Sequence, residues 1–155
     1  MLRPLKVPKP VKVSYQTLVV IWLALLASQV IFFLFVWFTR PQIFHPGTNP
    51  PFPNNLTLIT VVFSAIALLF FILSFVLSRQ HIRRAVHDRD AGCVQTALVL
   101  GCALSEVPSI LGLVLAFAFE HPYFYLWLAL GALGIFLHFP RKGNLDAAIE
   151  STRQD

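Results

Sequence analysis

Glu106 is the residue whose chemistry stands out, because it is the only acid inside any of four long apolar stretches. It falls at the centre of the third, so a helix there would hold its carboxyl near the midplane of a bilayer. Insertion scales put an acidic side chain at that depth at about 2.5–3.5 kcal/mol, and acids kept there commonly serve ion or proton pathways. The chemistry implied is reversible binding of a proton or cation. Loss of water disfavours the charged form, so the neutral acid is the expected resting state. The alternative is a buried carboxyl that only hydrogen-bonds between helices.

The polar residues around it could take part. At about 100° per residue, Gln95, Cys102, Glu106 and Ser109 share one helix face. Ser28 and Gln29 lie midway along the first apolar stretch and Ser64 near the middle of the second, so all three are candidate partners at matched depth. Pro108 has no amide hydrogen to give the Leu104 carbonyl, which leaves that oxygen for Glu106 or Ser109.

Other reactive types are more scattered. Arg83, Arg84 and Arg89, with Asp88 and Asp90, follow the second stretch and form a candidate docking patch, or simply a solvated turn that fixes topology. His138 lies at the same end as His81 and His87, and these read as histidines at headgroup level. His45 and His121 stand singly at the other end. Cys93 and Cys102 are nine residues apart, the wrong spacing for metal or redox work and too far apart on one helix to bridge. No Ser/His/Asp set, metal cluster or phosphate loop is legible. Neither an enzyme nor a bound cofactor or metal is expected.

The elements that would position Glu106 follow from composition. The 155 residues are 57% hydrophobic and 12% charged, with fifteen Phe. Soluble domains average about 25% charged residues, so this chain cannot coat a soluble globule. That argues against a soluble enzyme, a disordered tail and a nucleic-acid module. The apolar stretches cover about residues 15–38, 56–77, 93–119 and 123–139. A bilayer core near 30 Å takes roughly 20 helical residues, and backbone groups in lipid must be paired within the segment, so all four are expected to be helices. The first is too long for a cleaved signal peptide and has no small-residue cleavage pattern. Tyr15, Trp22, Trp37, Tyr123, Tyr125 and Trp127 mostly fall near stretch ends, as interfacial aromatics do. Small residues Gly101, Ser105, Gly112, Ala129, Gly131, Ala132 and Gly134 mark the third and fourth helices as a close antiparallel pair. The Phe-rich second helix is expected on the lipid side.

Orientation follows from the cations. Arg3, Lys6, Lys9, Lys12, Arg79, Arg83, Arg84, Arg89, Arg141, Lys142 and Arg153 fall on one side, and only Arg40 on the other. This asymmetry places both termini and the 78–92 loop in the cytoplasm. The expectation is an all-α integral membrane protein: a basic, Pro-rich arm (1–14), a four-helix transmembrane bundle (15–139) and a cytoplasmic tail (140–155). The lipid bilayer is its first partner, with a membrane-complex subunit or a second copy beside it. A bacterial inner membrane is the expected location.

Residues 103–117, reading ALSEVPSILGLVLAF, resemble the carboxylate-bearing helix of the proteolipid, subunit c, of ATP synthases. Arg79-Gln80 resembles the start of that family's cytoplasmic Arg-Gln-Pro loop, and the match spans about residues 78–119. The resemblance implies that Glu106 binds the proton and that Arg79 and Gln80 make loop contacts. His81 stands where the family has proline, Leu111 where it commonly has tyrosine, and two further helices flank the hairpin. The resemblance therefore implies a proteolipid-like protein divergent in role, rather than a rotor subunit.

Overall fold

A computed structural model describes residues 14–44, 54–87 and 91–143. They form α1 (Tyr15–Thr39), a 3-10 turn (Pro41–Phe44), α2 (Asn54–His87), α3 (Ala91–Phe119) and α4 (Tyr125–Leu137), with no strand among the described residues. Three helices, Tyr15–Thr39, Thr57–Arg84 and Cys93–Phe119, are long and apolar enough to cross a membrane. The described residues are thus all-helical and of membrane-spanning character. Most of the basic arm, His45, Asp88, Arg89, Asp90 and the tail beyond Gly143 lie outside the described residues, as does the side chain of His87.

Two boundaries depart from expectation. α2 continues ten residues past Leu77, so Arg79, Gln80, Arg83 and Arg84 ride on helical turns instead of a loop. Arg and Gln are strong helix formers, and no Gly or Pro interrupts the run up to His87. Loss of hydropathy marks where the apolar layer stops, not where the helix stops. α4 is shorter than 123–139, with only 13 residues, or about 20 Å. Residues 122–124 form a turn before it, and Pro140 follows its last turn.

α3 is the spine. Of its apolar window 44% is buried, against 17% for α1 and 11% for α2. It packs along α2 most extensively, then along α4 and α1. The α3–α4 contact is made close by glycines, as the small residues suggest. A β-carbon at Gly112 would stand 2.9 Å from the Phe124 carbonyl, and one at Gly134 would stand 2.8 Å from the Ser105 hydroxyl. The chain reverses at Glu120, whose φ of 49° is left-handed, and the His121 amide bonds back to the Leu115 carbonyl at 3.0 Å.

α2 is not simply a lipid-facing layer. Leu68, Leu69, Ile72 and Val76 point outward, but Phe75 packs on His138 at 4.6 Å between ring centres and Phe63 meets Phe119 edge-on at 6.3 Å. Trp22 and Trp127 are also buried against other helices. The Trp22 indole donates to the Ile135 carbonyl at 2.7 Å and ties α1 to α4. Tyr123, Tyr125 and Trp37 are exposed, as interfacial aromatics would be.

The core has two apolar clusters. One joins Leu18, Trp22, Val94, Leu98, Cys102 and Ile135 at the end bearing the arginines. The other joins Val36, Ala67, Leu115, Phe124, Trp127 and their neighbours at the opposite end. Ser28, Gln29, Ser105, Glu106 and Ser109 fall between them in sequence along α1 and α3, so the polar side chains form a layer between two greasy ones.

Candidate functional site

α1 and α3 present their polar residues at matched heights. Ser28 is the fourteenth residue of α1 and Glu106 the sixteenth of α3. The Ser28 hydroxyl lies 2.8 Å from Glu106 Oε1 and also 2.6 Å from the Leu25 carbonyl one turn back. A hydroxyl has one proton, and a carbonyl can only accept. Two arrangements therefore satisfy these contacts. With Glu106 ionised, Ser28 donates to the carboxylate. With Glu106 neutral, Ser28 turns its proton to Leu25 and accepts the carboxyl proton. The two differ by a rotation of the hydroxyl hydrogen, and no heavy atom need move.

A second link lies beside the first. Gln29 is buried, and its Oε1 accepts from the Ser109 hydroxyl at 2.5 Å. Its amide nitrogen is 3.5 Å from Ser28 Oγ, which closes a chain Ser109–Gln29–Ser28–Glu106. Glu106 itself is half-buried. Every buried side-chain nitrogen and oxygen among the described residues has a hydrogen-bond partner. The fully buried polar atoms of this layer are thus all paired, as a low-dielectric interior requires.

Of the residues expected around Glu106, the structure unites Ser28, Gln29 and Ser109 with it. Gln95 lies eleven residues before it, about 16 Å along the helix. Between them Cys102 is fully buried within the apolar cluster of Leu18, Trp22 and Leu98. The polar face read from the helical wheel is therefore interrupted by packing. Ser64 is not a partner: its hydroxyl bonds the Thr60 carbonyl on its own helix at 2.7 Å. Ser109, expected to bond the Leu104 carbonyl freed by Pro108, reaches across to α1 instead. Arg79, Gln80, Arg83 and Arg84 are exposed on the last turns of α2, far along the chain from the carboxyl.

Sequence reasoning missed a second polar string on the α2 side. Ser105 Oγ bonds Ser74 Oγ at 3.2 Å and its own Gly101 carbonyl at 2.9 Å. His138 is buried among the helices. Its Nδ1 lies 2.7 Å from the Gly134 carbonyl and its Nε2 lies 3.4 Å from the Ser74 carbonyl. Gly101 makes room for the ring, since a β-carbon there would overlap it. The available signal was a pair of matching motifs: Ser74 and Ser78 on α2 repeat the four-residue spacing of Gly101 and Ser105 on α3. His81 is apart from this string, with Nδ1 against Leu77's carbonyl at 2.9 Å. No group of His, Cys, Asp or Glu among the described residues could hold a metal ion.

Compared with protein-family models, with curated proteins and with solved structures, the chain matches none.

Proposed function

We propose that this chain is a small multi-pass protein of the bacterial inner membrane, with four spans and cytoplasmic termini, whose Glu106 binds and releases a proton within the bilayer. A small cation is the alternative cargo of the same carboxylate. The observation that carries this reading is the Ser28 hydroxyl, within bonding distance of both the Leu25 carbonyl and Glu106. A proton-exchanging carboxyl must be stable with and without its proton, and a hydroxyl rotor serves both states. The proteolipid resemblance of residues 103–117 and the eleven-to-one distribution of cations agree with this reading.

A second reading is a structural or assembly subunit in which Glu106 only joins helices. The adjacent Gln29–Ser109 bond favours it, because that link is uncharged and ties the same two helices. The two readings part at Glu106→Gln, since an amide still bonds Ser28 but cannot exchange a proton. A lipid-soluble carbodiimide, which attacks protonated carboxyls, should modify Glu106 ahead of the other six acids, with the site read by mass spectrometry. Proton flux in reconstituted vesicles should then fall with labelling and vanish in Glu106→Gln, while Ser28→Ala slows it. A Glu106→Gln protein with unchanged flux would rule out the exchange reading. An unmodified Glu106 beside labelled surface acids would rule out the neutral, reachable carboxyl.

A further inference from the structure

A cavity of about 580 Å³ opens at the basic end of the bundle, between α1, α2, α3 and the residues that follow α4. Three arginines stand around it: Arg79 and Arg83, one turn apart on α2, and Arg141 beyond α4. All three are exposed, and none is paired with an acid among the described residues. Among the described residues no acidic side chain lines the cavity, and its wall is mainly apolar, with Leu18, Phe75 and Leu98, while Ser78 and His138 add two polar groups. Cations thus stand at the rim of a largely apolar opening.

We propose that this cavity holds one anionic phospholipid, with its phosphate between Arg79, Arg83 and Arg141 and its glycerol and upper acyl region against the apolar wall. Guanidinium groups bond phosphate oxygens in a fork geometry, and clusters of them select anions over neutral headgroups. Basic pockets between membrane helices suit such headgroups. The apolar wall decides between lipid and free phosphate, because a fully hydrated ion gains nothing from Leu18 or Leu98, whereas an acyl chain buries them. The height agrees as well. The apolar part of α2 ends at about Leu77 and the helix continues, so Arg79 and Arg83 on the next turns lie where it would meet the headgroup layer.

The test uses the full chain purified in a neutral detergent. Dioctanoyl phosphatidylglycerol, dioctanoyl phosphatidylcholine and inorganic phosphate are titrated separately, with bound lipid counted by native mass spectrometry. Phosphatidylglycerol should bind at one per chain and at least tenfold more tightly than phosphatidylcholine. Arg83→Gln and Arg141→Gln, on separate segments, should each weaken it about fivefold. Arg84→Gln removes the same charge next door but does not line the cavity, so it should leave binding within twofold. Glu106→Gln should also leave it unchanged, which keeps this site separate from the carboxyl's chemistry. Equal binding of the two lipids, or equal losses from Arg83→Gln and Arg84→Gln, would overturn the proposal. Displacement of phosphatidylglycerol by equimolar inorganic phosphate would assign the site to the free ion instead. Matching thermal midpoints of the variants separate a lost site from a lost fold.

Discussion

The Arg40 guanidinium lies 3.0 Å from the Glu120 carboxylate, joining the residue that ends α1 to the residue that turns the chain out of α3. Arg40 also stands 5.8 Å over the Phe117 ring. It is the single cation that sequence reading leaves on the less basic side, and here its charge is matched. Both side chains keep solvent contact, at 34% and 64% exposure. Exposed pairs are worth about 0–1 kcal/mol. Arg40→Gln should therefore lower stability by no more than about 1 kcal/mol, checked by thermal unfolding in detergent at low and high salt. A larger loss that salt does not reduce would mean that packing on Phe117, not charge, holds Arg40.

The link between Gln29 and Ser109 joins two neutral side chains across α1 and α3. Interhelical hydrogen bonds in membranes average about 0.6 kcal/mol in double-mutant cycles, with a maximum near 1.7. A cycle of Gln29→Leu and Ser109→Ala should give a coupling within that range. Each single variant should cost more than the coupling, because it strands a buried partner. Strict additivity in steric-trap unfolding would show that the two do not interact.

Gly131 faces Ser109 so closely that a β-carbon would overlap the serine oxygen and stand 2.9 Å from the Ser105 carbonyl. Gly131→Ala should lower stability by about 1–3 kcal/mol, the usual range for overpacking. It should also loosen the Gln29–Ser109 bond, because the serine side chain must yield. Gly143, with open space around its α-carbon, is the control, and Gly143→Ala should be silent. Thermal aggregation midpoints of the two variants separate the outcomes. Equal tolerance would refute the close α3–α4 contact.

His121 lies in the α3–α4 turn, and burial lowers its proton affinity from the ordinary value of 6.5. Its Nδ1 accepts the Tyr123 amide at 3.2 Å, a bond that needs the nitrogen unprotonated. The unfolded chain takes up this proton first as pH falls, so unfolding is favoured by acid. Stability should be level above about pH 6.5 and decline below it. Thermal midpoints at pH 7.5 and pH 5 should differ less in His121→Gln than in the parent protein. An equal difference would assign the acid sensitivity elsewhere.

Residue type and depth carried much of this arrangement, while direction around the helix axis did not. Glu106 is conspicuous because it interrupts an apolar run, and Ser28 and Gln29 follow from counting to the same height. Ser64 passes the same depth test yet bonds its own helix. α1 and α2 are apolar on nearly every side, so no stripe in their sequence says which face meets α3. Lipid rewards greasy residues on all faces and thereby erases the pattern that reveals orientation in soluble helices. The buried state of His138 was hidden for a related reason. It rests on the space left by Gly101, which sits 37 residues earlier in the chain. α2 ran on past its apolar part because solvated arginines and glutamine prolong a helix as readily as leucine does.

The disparity between α2 and α4 bears on association. A helix of 13 residues offers a wall about 20 Å tall where a bilayer core measures about 30 Å. Leu126, Leu133, Phe136 and Leu137 face outward along that wall. Were α4 to span the bilayer as proposed, lipids beside it would have to thin or tilt, while those beside the long α2 would be under no such demand, and each ångström of unmet height carries a fraction of a kcal/mol. The elastic strain would then be concentrated on one flank of the molecule. A neighbouring helix laid over α4 would discharge it, so the membrane itself would press this flank toward a companion.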